Sequence, residues 1–421
     1  MLTDTLETEY DLVIAGAGLV GGSFALLLAA GMNTLKNDAL RILLVDSAPM
    51  VANEKEPGRP FDARSTALSW GSRLIYEQAQ CWDALAPCVT AIRHIHVSDR
   101  GHMGSTRLHS DEMGVDALGY VAENRHLNQI IAQALTDSPQ VQVCAPASVV
   151  TAIPASTGVK LCIRYHNDQS VNVDARLLVI ADGGRSGLCE QLGIRIIRKP
   201  YGQQALIANI AFEHAHDNWA FERFTDTGPM AVLPLSDLDA THRGALVWTL
   251  EDAQVSEVMA LSDEAFLSRL QQRFGYRLGV MTKAGERNVF PLSLNLASEQ
   301  IRPGIMLLGN VAHTLHPVAG QGLNLALRDA RELADMVISS CARGQKSALG
   351  HYAWLQTFEQ RQQADQQQTV YFSDLSTRLF SNNNTLLALG RNLGLLGMSL
   401  VPPARHWFAQ QAMGLRDRRT L

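Results

Sequence analysis

At 421 residues the chain exceeds the size at which one hydrophobic core keeps growing, and its 46% of apolar residues can fill two lobes. Its 36 basic and 41 acidic residues, net charge −5, supply no field for nucleic acid and no basic block for an anionic membrane surface, so any phosphate must be held locally by backbone amides. Six cysteines (Cys81, Cys88, Cys144, Cys162, Cys189 and Cys341) show no C-x-x-C pair and no zinc-like spacing, which argues against a disulfide framework or metal site and for reduced thiols in the cytosol.

The first ten residues carry Asp4, Glu7 and Glu9 without a basic start or apolar core, so no export signal is expected. No apolar run is long enough for a transmembrane helix, the nearest approach at residues 386–401 being broken by Arg391 and Asn392. Residues 10–15 form a short apolar run that enters Gly16-Ala17-Gly18-Leu19-Val20-Gly21 and then an apolar helix through Ala30. Strand, G-x-G-x-x-G and helix in this order form a dinucleotide-binding pattern: Gly16 for the tight turn, Gly18 for approach of a pyrophosphate, Gly21 for close helix packing. A second strand at residues 41–45 ends in Asp46, an acid able to accept hydrogen bonds from a ribose diol.

A polar loop at residues 53–60 leads to Phe61-Asp62-Ala63-Arg64, where Arg64, at an expected helix start, can reach a phosphate or ribose or face solvent. Alternating apolar residues at 92–108 suggest antiparallel strands, and a helix opens at residues 123–127. Arg125 in its first turn opposes the helix dipole unless it has an anionic partner, which points it towards a phosphate. Residues 177–181 run continuously apolar, as buried parallel strands do, and meet Asp182-Gly183-Gly184, a second place for close backbone approach.

From Pro200 to about Phe290 the pattern changes to short strands at 205–212, 230–235 and 244–250, with a helical piece at 264–274. The parallel pattern resumes at Ile305, so a second lobe is inserted in the first. Residues 308–329 then read as strand end, loop and helix start. Gly320, Gln321 and Gly322 leave amides unscreened at the positive end of a helix expected from about Leu323, a place that attracts an anion. His313 is expected to pack or cap. After Cys341 a Gln-rich stretch reads as a solvated helix. Leu386, Leu389, Leu393, Leu396 and Leu400 follow as one stripe beside Gly390, Gly394 and Gly397, either packed on the body or facing a greasy ligand, lipid or partner.

In this order and at these separations the Gly16, Asp182-Gly183 and 308–329 segments resemble the single-component flavin-dependent aromatic hydroxylases of the para-hydroxybenzoate hydroxylase fold group. Finer motifs look like the ubiquinone-biosynthesis hydroxylases, nearest the 2-polyprenyl-6-methoxyphenol hydroxylase branch, over essentially the whole chain. They are Phe61-Asp62-Ala63-Arg64, Tyr201-x-x-Gln204-Ala205, Phe221-Glu222-Arg223-Phe224, Gly228-Pro229-x-Ala231-x-Leu233-Pro234 and Gly309-Asn310-x-Ala312-x-Thr314-Leu315-His316-Pro317. The resemblance implies an α/β fold: a Rossmann-type FAD-binding lobe (1–200 and 285–345), an inserted antiparallel-sheet substrate lobe (201–284) that strands near 90–110 join, and a helical C-terminus (346–421).

It also implies FAD as cofactor and NAD(P)H as co-substrate. Gly16, Gly18 and Gly21 would line the pyrophosphate, Asp46 would hold the adenosine ribose, Arg64 and Arg125 would lie along the cofactor, and Asp182 and Gly183 would belong to a motif shared by FAD and NAD(P)H. Amides at Gly322, Leu323 and Asn324 would stabilise the anionic reduced ring. The small loop from Pro317 to Gly320 would keep the oxygen-reacting face open and dry, and beside it His316 would bond the phenol, relay its proton or be satisfied by backbone. Two positions depart from the fold group: Asn310 stands where Asp usually contacts the ribityl chain, and Cys189 stands where Arg is usual.

The implied reaction, through a flavin C4a-hydroperoxide, converts 2-polyprenyl-6-methoxyphenol to the 1,4-benzoquinol in ubiquinone biosynthesis. Hydroxylation at another ring position, a flavin-dependent isoprenoid reductase and a non-catalytic flavin-binding subunit are the alternatives. Expected partners are the prenylated phenol and O2, not nucleic acid. The expected location is cytoplasmic, with the C-terminal region as a contact for the inner membrane or for other ubiquinone-biosynthesis proteins.

Overall fold

The computed structural model describes residues 6–35, 40–50, 61, 64–100, 104–165, 168–226, 228–315, 320–380 and 402–415. His316, Pro317, Asp62, Ala63, the polar loop at 53–60 and the leucine stripe at 386–400 lie outside the described residues.

The first sheet is built on Glu9–Ala15, whose Leu12, Val13 and Ile14 have no solvent exposure. Ile42–Val45 lies parallel to it on one side (Ala15 opposite Val45) and Ser170–Ile180 parallel on the other (Ala15 opposite Ile180). Val141–Cys144 extends the sheet beyond Ile42–Val45, and Ile305–Leu307 lies parallel to Ser170–Ile180, with Ile180 opposite Leu307. Strands far apart in sequence thus adjoin in space, as a lobe interrupted by an insertion requires. Alternation sorts the side chains: Leu12 and Ile14 join the core under helices Leu19–Met32, Asn124–Thr136 and Gln321–Ala342. Val13 and Ala15 join the core under the hairpin of Ala147–Ala155 and Gly158–Tyr165. Because both faces are covered, these strands read as unbroken apolar runs.

The second sheet has the strand order His313–Thr314, Asn288–Ala297, Ile196–Phe212, Thr241–Glu251, Gly228–Leu238, Trp219–Thr225, His94–Asp99, Ser105–His109. His94–Asp99 does join it, parallel to Trp219–Thr225. Apart from His94–Asp99, Ser105–His109 and His313–Thr314, its strands run from Ile196 to Ala297, past 201 and 284 at both ends. The sequence pattern changes at Pro200 because the strand carries a bulge between Pro200 and Gln203, and proline is tolerated at such an irregularity. Helices Asp252–Met259 and Asp263–Phe274 cover one face through Trp248, Phe266 and Phe274. The other face looks back at the first lobe. A small third sheet, Ser65–Ser69, Gly119–Glu123 and Val89–Ile92, joins them through the cluster Ile92, Val121, Ala220, Leu235 and Ala245.

The expectation of a helix start at Arg64 is corrected. Residues Ser65–Ser69 form a strand, and the helix begins at Trp70, where the Ser69 side chain accepts from the Ser72 amide. Pairing with Gly119–Glu123 outweighs the helix-start signal. The C-terminal part is helical where described, in Tyr352–Phe380 and Pro402–Ala412. Among the described residues no helix is long and apolar enough to cross a membrane.

Candidate functional site

Three glycine turns meet at the carboxyl ends of the parallel strands. Gly16 has φ of +107°, and a Cβ there would lie 2.6 Å from the Ala181 carbonyl oxygen, so the first turn is pressed against the turn that leads to Asp182. A Cβ on Gly21 would lie 1.9 Å from the Gly16 carbonyl oxygen, so helix Leu19–Met32 sits directly on that turn. Gly18 differs: its backbone is extended and nothing stands within 4 Å of the missing Cβ. It is the N-cap of that helix, with no side chain capping the first-turn amides. A tight, side-chain-free turn with open amides at a helix start fits the pyrophosphate of a dinucleotide.

Asp46, at the end of the neighbouring strand, is half-buried. Its carboxylate accepts from the Ala17 amide (2.5 Å) and from the Ala48 amide (2.8 Å), fixing the glycine turn while one edge faces outwards. Asp182 accepts from the amides of Gly184 and Ser186 (2.8 Å each), so its carboxylate shapes its own turn beside the exposed Gly183. Cys189 lies on the short helix that follows, its thiol pushed up to about 11 by burial and then by the charge of Asp182, which makes it an inert neutral group.

The third turn carries Asn310, exposed, whose carbonyl accepts from the Thr314 hydroxyl (2.9 Å). Helix Gln321–Ala342 then starts two residues before the expected Leu323, with Gly320 as a left-handed N-cap at φ +62°. Asn324 is a clip: buried, it accepts from the Ser69 amide (2.8 Å) and the Ser72 hydroxyl (2.7 Å) and donates to the carbonyls of Ala67 (3.0 Å) and Gly320 (2.7 Å). One side chain therefore holds the helix start against the Ser65–Ser69 strand. His313 and Asp329, both buried, are paired through Nε2 and Oδ2 at 2.7 Å, and Gln366 donates to the same carboxylate oxygen (3.0 Å). His313 thus pins the turn to the helix.

A cavity of about 400 Å³ opens between this helix start and the uncovered face of the second sheet. Gly320, Gly322, Leu323, Asn324 and Asn310 line one side; Ile207, Val247, Ala231, Val97 and Glu222 line the other, and Phe408 and Ala412 of the C-terminal helix close an end. The structure brings Asn310 and the 320–324 segment together at the cavity. It places Gly16, Gly18, Gly21 and Asp46 at the strand ends instead, with Asp182 and Gly183 beside them. Arg64 is exposed next to the strand that lines the cavity. Arg125 binds Glu123 (Nη2 to Oε2, 2.6 Å), and Arg243 holds the other oxygen (2.6 Å). The anionic partner that Arg125 needs at a helix start is therefore Glu123 of its own chain, and helix charge alone gives no reason to add a phosphate.

Sequence reasoning missed Glu222. The motif Phe221-Glu222-Arg223-Phe224 does not single it out, but period-two alternation puts it on one strand face with Ala220 and Phe224, and an acid on an apolar face is the signal. Enclosure by protein pushes its carboxyl up to about 7, with no charged neighbour contributing, although the cavity leaves it accessible from within.

A family model described as FAD binding domain matches residues 9–372. The ubiquinone hydroxylase UbiL of Rhodospirillum rubrum is 31% identical over 414 residues, covering 98% of this chain and 91% of the relative. The 3-demethoxyubiquinol 3-hydroxylase of Escherichia coli is 28% identical, with 96% of this chain and 98% of the relative covered. The human mitochondrial ubiquinone biosynthesis monooxygenase COQ6 is also 28% identical, with 95% and 91% covered. Among solved structures, p-nitrophenol 4-monooxygenase PnpA from Pseudomonas putida DLL-E4 superposes with a TM-score of 0.74 at 16% identity, over 99% of this chain and all of its own, a likeness of fold.

Proposed function

The chain belongs to the FAD binding domain family, and on that premise we propose that it is an NAD(P)H-dependent FAD monooxygenase of ubiquinone biosynthesis that hydroxylates a polyprenylated phenol. The preferred substrate is 2-polyprenyl-6-methoxyphenol, oxidised para to its hydroxyl. The observation that carries this reading is the cavity itself: an apolar chamber set between a helix start that no side chain of its N-cap covers and a sheet face, with space for a ring and an apolar tail. The names of the relatives at 28–31% identity support the pathway.

Bound FAD would supply oxygen activation after reduction by NAD(P)H; the protein positions, dries and polarises. Gly16, Gly18 and Gly21 would hold the pyrophosphate and Asp46 the adenosine ribose, with Arg64 and Arg125 along the cofactor. Asp182 and Gly183 would edge the nicotinamide nucleotide path. Asn310 would offer its amide to the ribityl chain. The amides of Gly322, Leu323 and Asn324 point from the positive end of a 22-residue helix, where negative charge on a reduced ring is stabilised. Gly320 leaves the neighbouring space free of side chain, and His316 and Pro317 complete the proposed catalytic loop. The aliphatic wall of Ile207, Val247 and Val97 excludes water and receives the prenyl group. The C-terminal region is proposed as the contact for a membrane surface that holds such a substrate.

The test is oxygen uptake by the purified FAD-bound protein with NAD(P)H and a prenylated methoxyphenol, with product identified by mass. Substrate-dependent uptake with a quinol product supports the reading; product formation without oxygen uptake would make the protein a reductase, and neither would make it a non-catalytic flavin subunit. A second reading, hydroxylation at another ring position, is favoured by the relatives' names, one of which specifies a 3-hydroxylase. Deleting the gene separates the two: accumulated 6-methoxyphenol supports the first, accumulated demethoxyquinone the second.

A further inference from the structure

Among the described residues that line the central cavity, Glu222 is the single ionisable side chain. Its cross-strand neighbours are Val97 and Ala231, and the same row continues through Val247 to Ile207, all apolar and all facing the cavity. Of the neighbouring polar side chains, Arg223 and His96 lie on the other face of the sheet, while the buried Asp99 follows Val97 on the Glu222 face, one step along the strand opposite Phe224. Arg223 donates to the Phe274 carbonyl (2.7 Å), and His96 packs against Phe221. The other polar side chains lining the cavity are Ser65, Thr66, Ser69, Thr249, Asn310, Thr314 and Asn324, none of which ionises in the ordinary pH range. A carboxylate so placed has no structural partner among the described contacts, while an aliphatic residue would complete the row. An acid that costs solvation and forms no ion pair calls for a use.

Resting on the function proposed above, we propose that Glu222 is the catalytic base that takes the phenol proton and fixes which end of the ring is oxidised. In a phenol the hydroxyl and the carbon para to it lie at opposite ends of the ring. A ring lying between the helix start and the sheet, with its hydroxyl on Glu222, turns its para carbon towards the 320–324 segment. In the step itself the phenolic O–H bond breaks, the proton goes to a Glu222 carboxylate oxygen, and the electron pair stays on the phenol oxygen. Nothing is oxidised or reduced in that transfer. The resulting phenoxide is richer in electrons at the para carbon, which gains one atom of O2 and loses its own proton as the ring regains aromaticity, while the other oxygen atom leaves as water and NAD(P)H supplies the two electrons. Separately, the carboxyl's position near 7 suits a base working at neutral pH, since it is half ionised there and strong enough to accept a proton.

The experiment compares Glu222→Gln with wild type, using FAD-bound protein, NADPH and 2-geranyl-6-methoxyphenol. Glutamine keeps the shape and cannot take the proton. Quinol formation is expected to fall about 100-fold, while FAD content stays at the wild-type level and oxygen consumed appears as hydrogen peroxide. The wild-type hydroxylation rate should rise through a limb near pH 7 that is absent in the variant, and a ring-fluorinated phenol, more acidic than the substrate and so less dependent on a base, should restore the variant by about 10-fold or more when assayed above its own pKa. A variant that forms quinol within about threefold of wild type, or that keeps the pH limb, overturns the role of Glu222 and leaves the proposed function standing. Wild-type protein that oxidises no prenylated phenol overturns the function itself, and the role of Glu222 with it.

Discussion

Gly18 and Gly21 lie three residues apart in one turn, and the structure assigns them different reasons for being glycine. In Gly21→Ala the new methyl would sit 1.9 Å from the Gly16 carbonyl oxygen, whereas real Cβ contacts essentially never fall below 3.0 Å, so helix and turn must separate by more than 1 Å. The helix is clamped from behind by Gly31, whose own Cβ would meet Ile338 at 2.1 Å, so it cannot back away freely. Overpacking of this kind costs about 1–3 kcal/mol or more. In Gly18→Ala the methyl meets no protein atom within 4 Å and the backbone conformation suits any residue. Its cost to the protein is the weak preference for glycine over alanine at an N-cap, under about 1 kcal/mol. What the methyl would obstruct is the pyrophosphate proposed to lie on the helix-start amides. Displacing it from one or two charge-assisted hydrogen bonds, each about 1.5–3 kcal/mol, gives roughly 3 kcal/mol, or about a 100-fold rise in Kd. The assay is fluorescence titration of each apoprotein with FAD, alongside chemical denaturation. Gly18→Ala should fold like wild type and bind FAD about 100-fold more weakly, and Gly21→Ala should be destabilised before FAD is added. A Gly18→Ala protein that binds FAD within about threefold of wild type would refute the assignment of the pyrophosphate to this turn.

Asn324→Ala leaves Ser72 its contact with Ser69 (3.2 Å) but strips the Ser69 amide of its partner and removes the clip on Gly320, so urea denaturation should show a loss of about 2–5 kcal/mol. Glu123→Ala removes the carboxylate held by both Arg243 and Arg125, and because Arg243 is buried the loss should be about 3–5 kcal/mol, with Arg125→Ala costing less because that side chain is partly exposed. Glu222→Gln should change how stability depends on pH. The folded carboxyl sits near 7 against an ordinary 4.5, so the folded protein holds this proton more tightly than the unfolded chain. Wild-type stability from this group is therefore present below pH 4.5 and lost as pH rises to 7. Relative to wild type, the glutamine variant should gain about 2 kcal/mol between pH 5 and pH 8, read as the change in the difference between their urea unfolding free energies.

The first lobe was legible because its strands are buried on both faces and each ends in a glycine turn: the run at 177–181 and the G-x-G-x-x-G at 16–21 are local patterns with one physical reading. The second sheet was legible in kind but not in extent, since Pro200 breaks the apolar pattern while the strand continues through a bulge. Arg64 misled for a related reason. The Ser65–Ser69 strand exists through pairing with Gly119–Glu123, some fifty residues on, and no local signal marks that pairing. At the site, the segment at 320–324 could be found from glycine spacing, because helix-start amides need no partner in sequence. The work of the Asn324 side chain could not, as its partners lie at Ala67, Ser69 and Ser72. Arg125 shows the converse: its unfavourable position at a helix start was readable, and its partner Glu123 stood two residues away.

Asn310 gains a physical reason from the cavity. It lines the same chamber as Glu222, and that chamber holds no other ionisable side chain among the described residues. Aspartate at 310 would add a second carboxylate to a space whose walls already push Glu222 up to about 7 by desolvation alone. Nearby like charges raise each other's pKa, so a second carboxylate lining the chamber would push Glu222 further up and weaken it as a base at neutral pH, by an amount that solvent at the exposed position 310 reduces. Asparagine keeps an acceptor and a donor at that position with no charge. On the role proposed for Glu222, the residue that departs from the fold group and the acid on the sheet face would then act within one electrostatic arrangement. On that role, the single ionisable side chain among the described lining residues stands on the sheet side of the cavity and neutral groups and a helix start on the other, an arrangement that would draw the phenol proton to one end of the ring and leave the other end to be oxidised.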